Sequence, residues 1–306
     1  MLDQNKEFNN IKIHTQYSIC EGAVKIDQLA EYCKINKIKA VGLADSYNLC
    51  GALEFAEKIS KVGTHPIIGT QINLLDDNVI GKVTLYATSE QGYKNLTKLS
   101  SLSYLKNLKS NDPYCEIKEL LLNSQDLIIL TGNYNNFFGK LFNSNKIKNF
   151  EKIIGKLKSS FKDRLYFEIQ RHSESQETNY ENYLLRISSL YNIPLIASQE
   201  VYYIDPSSSE AHDALICIGQ KQFVDDKNRF RYSDQHYLKK TDDIKKLYKD
   251  IPEALENNFN FPLRFNFKPK KSKPILPSLS NNNNKSPEKE LMTRAKKGLE
   301  ERINNF

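Results

Sequence analysis

The 306-residue chain is 39% apolar and 26% charged, with a mean hydropathy of −0.58, a composition typical of water-soluble globular proteins with one large or two smaller domains. It has neither an apolar run of the roughly 20 residues that span a bilayer nor a signal-peptide pattern, so we expect a cytoplasmic protein without a membrane partner. The five cysteines form no CxxC pair, which argues against a disulfide framework or a cysteine-rich zinc site.

The net charge of +7 arises near the C-terminus. Residues 262–306 contain 11 of the 44 Lys and Arg residues but only 4 of the 37 acidic ones, so the rest of the chain is formally neutral. Such a segment is suited to phosphate binding, with Lys268, Lys270, Lys271 and Lys273 as candidates for nucleic-acid contacts. A solvated linker is an equally good interpretation, because no aromatic residues alternate with these lysines.

The first half of the chain alternates strand-length apolar runs with helical patterns. Ile26, Leu29, Ala30 and Cys33 have the spacing of one helix face, which predicts an amphipathic helix. In chain order we predict strands at 11–13 and 40–43 around this helix, a helix from about 48, strands at 66–75 and 83–87, helices at 92–105 and 114–123, and a strand at 126–132.

The second half continues the alternation. We predict a helix at 149–159, a strand from 165, a helix at 181–191, a strand at 193–203, a helix at 207–222, an irregular stretch, a helix at 242–258, a linker rich in Pro, Ser and Asn, and a final helix. Six or seven strand–helix units without an internal repeat favour an α/β barrel. A doubly wound open sheet would give the same order of elements and stays an alternative.

In a barrel of this kind, the side chains at the C-terminal strand ends form the site. Of the possible metal ligands, only His14, Glu21, Asp45, His172 and Glu200 are suitably placed, too few for a polynuclear site. We favour a hydrogen-bonded structural role for His14 over a ligand role, and Asp45 either caps the next helix or belongs to the site. The remaining histidines, His65, His212 and His236, have no expected role, and His65 is predicted at the surface.

A series of collinear segments resembles one known family. HTQYSICEGAVKIDQLAEYCKINKIKAVGLADSYNLCGALEF and HPIIGTQI, followed by GYKNLTKL, LIILTG, YFEIQRH, IASQEVYYID, EAHDALICIG and RAKKGLEERI, are similar to the N-terminal PHP (polymerase and histidinol phosphatase) domain of bacterial DNA polymerase III alpha subunits. The resemblance implies an α/β fold, a PHP-type distorted (βα)7 barrel at 1–268. A linker at 269–287 and a helix at 288–306 would then lead into a polymerase palm that this chain does not reach.

In active members of this family, the barrel holds three metal ions. The resemblance places other residue types at most of the ligand positions, and the matching positions here are Lys12, His14, Glu21, Asp45, Ser46, Gln71, Asn133, Glu200 and Tyr202. Neutral Gln, Ser and Asn are weak ligands, and the ammonium groups of Lys12 and Lys82 would neutralise nearby carboxylates. We therefore expect a degenerate site with no catalytic residue and no metal cluster, with His14 and Glu200 as residual candidates for one ion.

The resemblance also implies a function. The domain would be a structural module that docks the proofreading exonuclease subunit within the polymerase III holoenzyme, and it would meet DNA through the whole polymerase. No cofactor is expected here, because Mg²⁺ would act in the palm, and this chain alone would not polymerise DNA. The alternatives are an active metal-dependent PHP phosphoesterase or 3′–5′ exonuclease, and a nucleic-acid-binding fragment that acts through its basic segment.

Overall fold

The structure, a computed structural model, describes residues 6–105, 112–274 and 286–305. Up to residue 130 they form β1 (Asn10–Ile13), α1 (Ile26–Ile35), β2 (Ala40–Ser46), α2 (Ala52–Lys61), β3 (His65–Asp76), β4 (Val79–Ala87), α3 (Glu90–Leu105), β5 (Tyr114–Glu116), α4 (Ile117–Leu122) and β6 (Leu127–Leu130). Then follow α5 (Phe137–Asn143), α6 (Ile147–Phe161), β7 (Leu165–Gln170), α7 (Glu177–Tyr191), β8 (Leu195–Ser198), β9 (Glu200–Val201), α8 (Ser209–Gln220), α9 (Thr241–Leu247), α10 (Pro252–Asn260) and α11 (Pro287–Asn304).

The strands form a barrel. Their order is β8-β7-β6-β4-β3-β2-β1-β9, and β5 pairs with β3 outside this ring. Only Gln199 separates β8 from β9, so the segment 195–201 pairs with β7 through β8 and with β1 through β9, and closes the ring. The ring pairings are parallel except those of β4, which runs antiparallel to β3 and β6. The predicted distorted barrel is confirmed. It differs from a regular βα barrel in the antiparallel direction of β4.

A β-bulge in β1 determines which of its side chains point into the barrel. The register advances three residues along β1 and two along β2, so Ile11 and Lys12 both lie opposite Gly42. A Cβ atom on Gly42 would lie 2.0 Å from the Ile11 carbonyl oxygen, so the bulge requires glycine here. Because of the bulge, both residues face the interior: Ile11 joins the interior apolar cluster, and Lys12 reaches Glu168 on β7.

An apolar cluster fills one end of the barrel. Ile11, Ile67, Ile128 and Ile196 lie inside the ring, near the start of their strands, and Phe261 packs edge-on against the Tyr86 ring. Two larger clusters lie between the outer faces of the strands and the surrounding helices. Since apolar side chains fill the end where the parallel strands begin, the polar interior lies at the end where they finish.

Several predicted elements differ in detail. The helix expected from residue 48 begins at Ala52, because the Asn48 carboxamide oxygen instead accepts from the Cys50 backbone N–H in a turn. The helix expected at 114–123 starts as strand β5, which pairs with β3, and continues as α4. The helix expected at 242–258 is two helices, α9 and α10, and the second begins at Pro252. Helix α5 was not predicted.

The chain divides into two compact units, residues 1–270 and 271–306. In the second unit, Ser286 caps α11 by accepting from the Lys289 backbone N–H, and none of the helix's residues is buried. Most of the predicted linker at 269–287 lies outside the described residues. Within the described parts of the chain, no helix combines the length and apolar character needed to cross a membrane.

Candidate functional site

The ends of the parallel strands bring the predicted site residues together. Their positions follow from the barrel, because β1, β2, β3, β7 and β9 finish at the same end. The members with almost no solvent exposure are Lys12, His14, Asp45, Ser46, Gln71, Glu200 and Tyr202. Glu21 joins them from the loop after β1, and Asn133 joins from the loop after β6.

Lys12 is the central cation of this site. Its ammonium Nζ lies 3.3 Å from both carboxylate oxygens of Glu168 and 3.5 Å from Glu200 Oε1. The side chains of Lys12 and Glu168 have no solvent exposure. Sequence reasoning missed Glu168, although an acidic residue within the apolar run LYFEI was the available signal. Since an unpaired buried charge is very costly, the three groups depend on one another for stability.

Glu200 is ionised in this environment. Its Oε1 accepts a 2.7 Å hydrogen bond from Gln71 Nε2 and lies 3.1 Å from His14 Nε2, and its Oε2 lies 3.4 Å from the Asn133 amide nitrogen. Burial alone would raise the pKa of Glu200, but the Lys12 ammonium and His14 hold it well below its usual value. His14 thus has the hydrogen-bonded environment expected of a structural histidine.

A second ion pair lies nearer the surface. Lys82 Nζ on β4 lies 2.7 Å and 2.8 Å from the carboxylate oxygens of Glu21, and it donates to Ser46 Oγ at 3.0 Å. Burial alone would raise the pKa of Glu21, but Lys82 holds it below its usual value. The same attraction raises the pKa of Lys82 against the effect of burial. Both groups are therefore charged at neutral pH.

Asp45 organises the loop after β1. It accepts hydrogen bonds from the Thr15 backbone N–H at 2.6 Å, from Thr15 Oγ1 at 2.7 Å and from Ser18 Oγ at 2.7 Å. Of the two alternatives for Asp45, the helix cap is wrong, because α2 starts at Ala52, well beyond it. Its carboxylate is occupied by three donors within the site.

Three histidines lie beside the site, two of them unexpectedly. The ring of His236 stacks on His172 with centroids 4.0 Å apart, and its Nδ1 lies 3.0 Å from the Glu200 carbonyl oxygen. His212 Nε2 lies 2.8 Å from the Glu21 carbonyl oxygen. Burial lowers the pKa of His172 and of His212, which keeps them neutral. Sequence reasoning missed His212 and His236, because strand periodicity cannot place residues from α8 or an irregular segment.

His65 lies elsewhere. It begins β3 and is half-buried, so the prediction of a surface position is wrong in part. Its Nε2 is buried without a hydrogen-bond partner in the structure. The residue takes no part in the polar end of the barrel.

A cavity of about 340 Å³ opens above the buried charges, lined by Lys82, Asn133, Glu200, Tyr202 and His236 among others. Within the described residues, no three His, Cys, Asp or Glu side chains are placed to hold one metal ion. The ammonium groups of Lys12 and Lys82 occupy the neighbourhood of the carboxylates that a divalent ion would need. The donor set does not fit a metal cluster.

Comparison with known proteins places this barrel in a family. Residues 10–172 match the PHP domain, and the chain belongs to this family. DNA polymerase III subunit alpha of Caulobacter vibrioides is 32% identical over 98% of this chain and 27% of its own length, and that of Rickettsia conorii is 33% identical over 90% and 24%. The chain thus spans about a quarter of the length of the curated relatives it matches. The resemblance to the polymerase III alpha subunit is confirmed.

More distant relatives and solved structures are also similar. DNA polymerase III subunit alpha of Vibrio cholerae is 29% identical over 97% of this chain and 26% of its own length. The crystal structure of a putative metal-dependent phosphoesterase from Bifidobacterium adolescentis covers 63% of this chain and 86% of its own, with a TM-score of 0.44 and 12% identity.

Substituting Lys82 by methionine should raise the pKa of Glu21, because the ammonium group keeps that carboxylate ionised against burial. The folded-state pKa of Glu21 is lowered, so the pair stabilises the fold above the unfolded value of about 4.3 and loses its effect as the pH falls through the folded value. A carbon-detected NMR titration of Glu21 measures the shift. Lys118→Met, which removes an exposed partner of Glu116, is the control. An unchanged Glu21 titration would contradict the assignment.

Proposed function

We propose that this chain is the N-terminal PHP region of a DNA polymerase III alpha subunit and acts as a non-catalytic structural module. The family match and the curated relatives support the assignment to this region. The observation that supports a non-catalytic role is the position of Lys12, fully buried between Glu168 and Glu200. In this proposal the ammonium groups of Lys12 and Lys82 replace the metal cations of active family members.

The charges at the site support this replacement. Lys12 lies between Glu168 and Glu200 and offsets one of their two negative charges, Lys82 balances Glu21, and three hydrogen-bond donors occupy Asp45. A divalent ion bound at Glu200 would lie within a few ångströms of the Lys12 ammonium and would be repelled strongly at low dielectric. In this proposal the site does not supply the metal-activated water that attacks the phosphoester in metal-dependent phosphoesterases.

The second part of the proposal concerns partners. A barrel without catalysis retains a rigid surface, and the resemblance to polymerase III alpha subunits suggests that this surface docks the proofreading exonuclease subunit. DNA synthesis and its Mg²⁺ would belong to other parts of such a polymerase. The relatives named DNA polymerase III subunit alpha support membership of a replicative complex.

Metal content tests the first part. Protein purified without chelator, incubated with Mn²⁺ and Zn²⁺ and desalted, should contain no stoichiometric metal by plasma mass spectrometry, and chelator should leave its melting temperature unchanged. The variant with Lys12→His, Ser46→His, Gln71→Glu and Tyr202→His restores ligand types and is the positive control. Two or three metal equivalents in the unsubstituted protein would favour the phosphoesterase or 3′–5′ exonuclease alternative.

Docking is tested separately. The immobilised chain should retain the exonuclease subunit from the same organism, with the Lys82→Met variant as a folded comparison. Failure to retain purified exonuclease at micromolar concentration would overturn the docking role and leave the metal result unaffected.

A further inference from the structure

A groove lies at the other end of the barrel from the charged site. Helix α3 forms one wall, and the segment 266–270 forms the other. This segment directly follows Phe265, which belongs to the apolar cluster inside the barrel. The groove encloses about 750 Å³, more than twice the cavity above the buried charges. Tyr93 and Lys94 line it from α3, and Phe267, Lys268 and Lys270 line it from the opposite wall.

Two aromatic rings in contact with each other line this groove. The centroids of Tyr93 and Phe267 are 5.4 Å apart, with an angle of 37° between the ring planes. Both side chains are half-buried, and Tyr93 also packs against the apolar core, which holds its ring in place. The two rings are therefore fixed while part of their surface faces the groove, as in a preformed stacking platform.

Three lysines surround these rings. Lys268 and Lys270 are exposed, and Lys94, whose side chain is 64% exposed, pairs with Glu90 at 2.9 Å. Glu90 also lines the groove, so the four charged side chains leave a net charge of +2. This grouping could not be predicted from local patterns, because Tyr93 and Lys94 belong to α3, far from the basic segment along the chain. The fold brings Tyr93 beside Phe267, which directly precedes Lys268 in the basic segment.

We propose that this groove binds single-stranded nucleic acid, with bases stacking on the Tyr93 and Phe267 rings and phosphates contacting the three lysines. A single strand offers both groups that this groove can bind. Its exposed base faces can stack on the two rings, and its phosphates can pair with the neighbouring ammonium groups. The base faces of a duplex are stacked on one another and cannot reach the rings. An acidic peptide can pair with the lysines, but it has no planar bases beside its charges to stack on the rings. This inference goes beyond the proposed function and is independent of the metal and docking results.

Fluorescence anisotropy with a labelled oligothymidylate of about 12 nucleotides, a length in the usual range for such grooves, tests the charge contribution. For the unsubstituted chain, log affinity should fall linearly with log salt concentration. In the full chain with Lys94→Ala, Lys268→Ala and Lys270→Ala, the magnitude of this slope should be smaller by about 2, because each lost phosphate contact removes about 0.7. The control removes Lys148, Lys152 and Lys156, which are exposed on one face of α6. Equal losses in the two triple variants would overturn the proposal.

Phe267→Ala tests stacking in the same assay. Affinity should fall about tenfold with the salt slope unchanged, because one base loses its stacking partner, and Phe267→Tyr should restore the affinity. Circular dichroism confirms that both variants are folded. If Phe267→Ala binds as the unsubstituted chain does, or if a duplex or a polyglutamate peptide competes as well as the single strand, the groove is not a single-strand site.

Discussion

Substituting Lys12 by methionine is expected to lower the free energy of unfolding by about 3–5 kcal/mol, the usual cost of removing one partner from a buried ion pair. Methionine fills most of the lysine volume, so the loss comes from charge rather than from a cavity. Glu168 and Glu200 would both lose the Lys12 ammonium that lies between them in the barrel interior. Urea unfolding followed by circular dichroism measures the difference.

Two comparisons make this result specific. Adding Glu168→Gln to Lys12→Met should recover part of the loss, because it removes a carboxylate that has no counter-charge. Lys58→Met removes a cation from the surface pairs with Asp27 and Glu54, and should cost no more than about 1 kcal/mol. If Lys12→Met costs no more than Lys58→Met, the central role of the buried ammonium is wrong.

Gly42→Ala is expected to destabilise the fold by about 3 kcal/mol or more. The added methyl group would lie 2.0 Å from the Ile11 carbonyl oxygen, and backbone in the middle of a barrel cannot easily move away. Relief of the clash would require removing the bulge in β1, which would turn Lys12 away from Glu168. The measurement is again the midpoint and slope of the urea transition.

Gly155 offers a matched comparison. It lies within α6, and a Cβ atom there would meet nothing within 4 Å. Gly155→Ala should therefore stabilise the protein by up to about 1 kcal/mol, because alanine has the higher helix propensity. If both glycine substitutions change stability equally, the close approach at Gly42 does not determine the strand geometry.

Much of the barrel follows from local sequence patterns. The stripe Ile26, Leu29, Ala30 and Cys33 is buried as predicted, because one helix face packs on the sheet whatever the surroundings. Strand ends were also predictable, so His14 and the other strand-end residues could be placed at one site. The antiparallel direction of β4 could not be predicted, since an apolar run has the same composition in either direction.

The partners of the charged residues were harder to predict. In a regular strand, neighbouring side chains point to opposite faces, so Lys12 would point outward if Ile11 pointed inward. Both side chains point inward only because of the bulge opposite Gly42. Glu168 was hidden within an apolar strand, and its importance depends on Lys12 from the far side of the barrel. Such pairings depend on register and closure, which local periodicity does not contain.

The closure of the ring by β8 and β9 has a consequence for motion in the native state. Glu200 belongs to the short strand whose hydrogen bonds to β1 complete the ring, and Lys12 and Glu200 are paired in that register. A fluctuation that separates this seam would open the ring and pull Lys12 away from Glu200 at the same time. Amide protons along the seam would therefore exchange with solvent mainly when the whole domain unfolds, not through a local opening of the site.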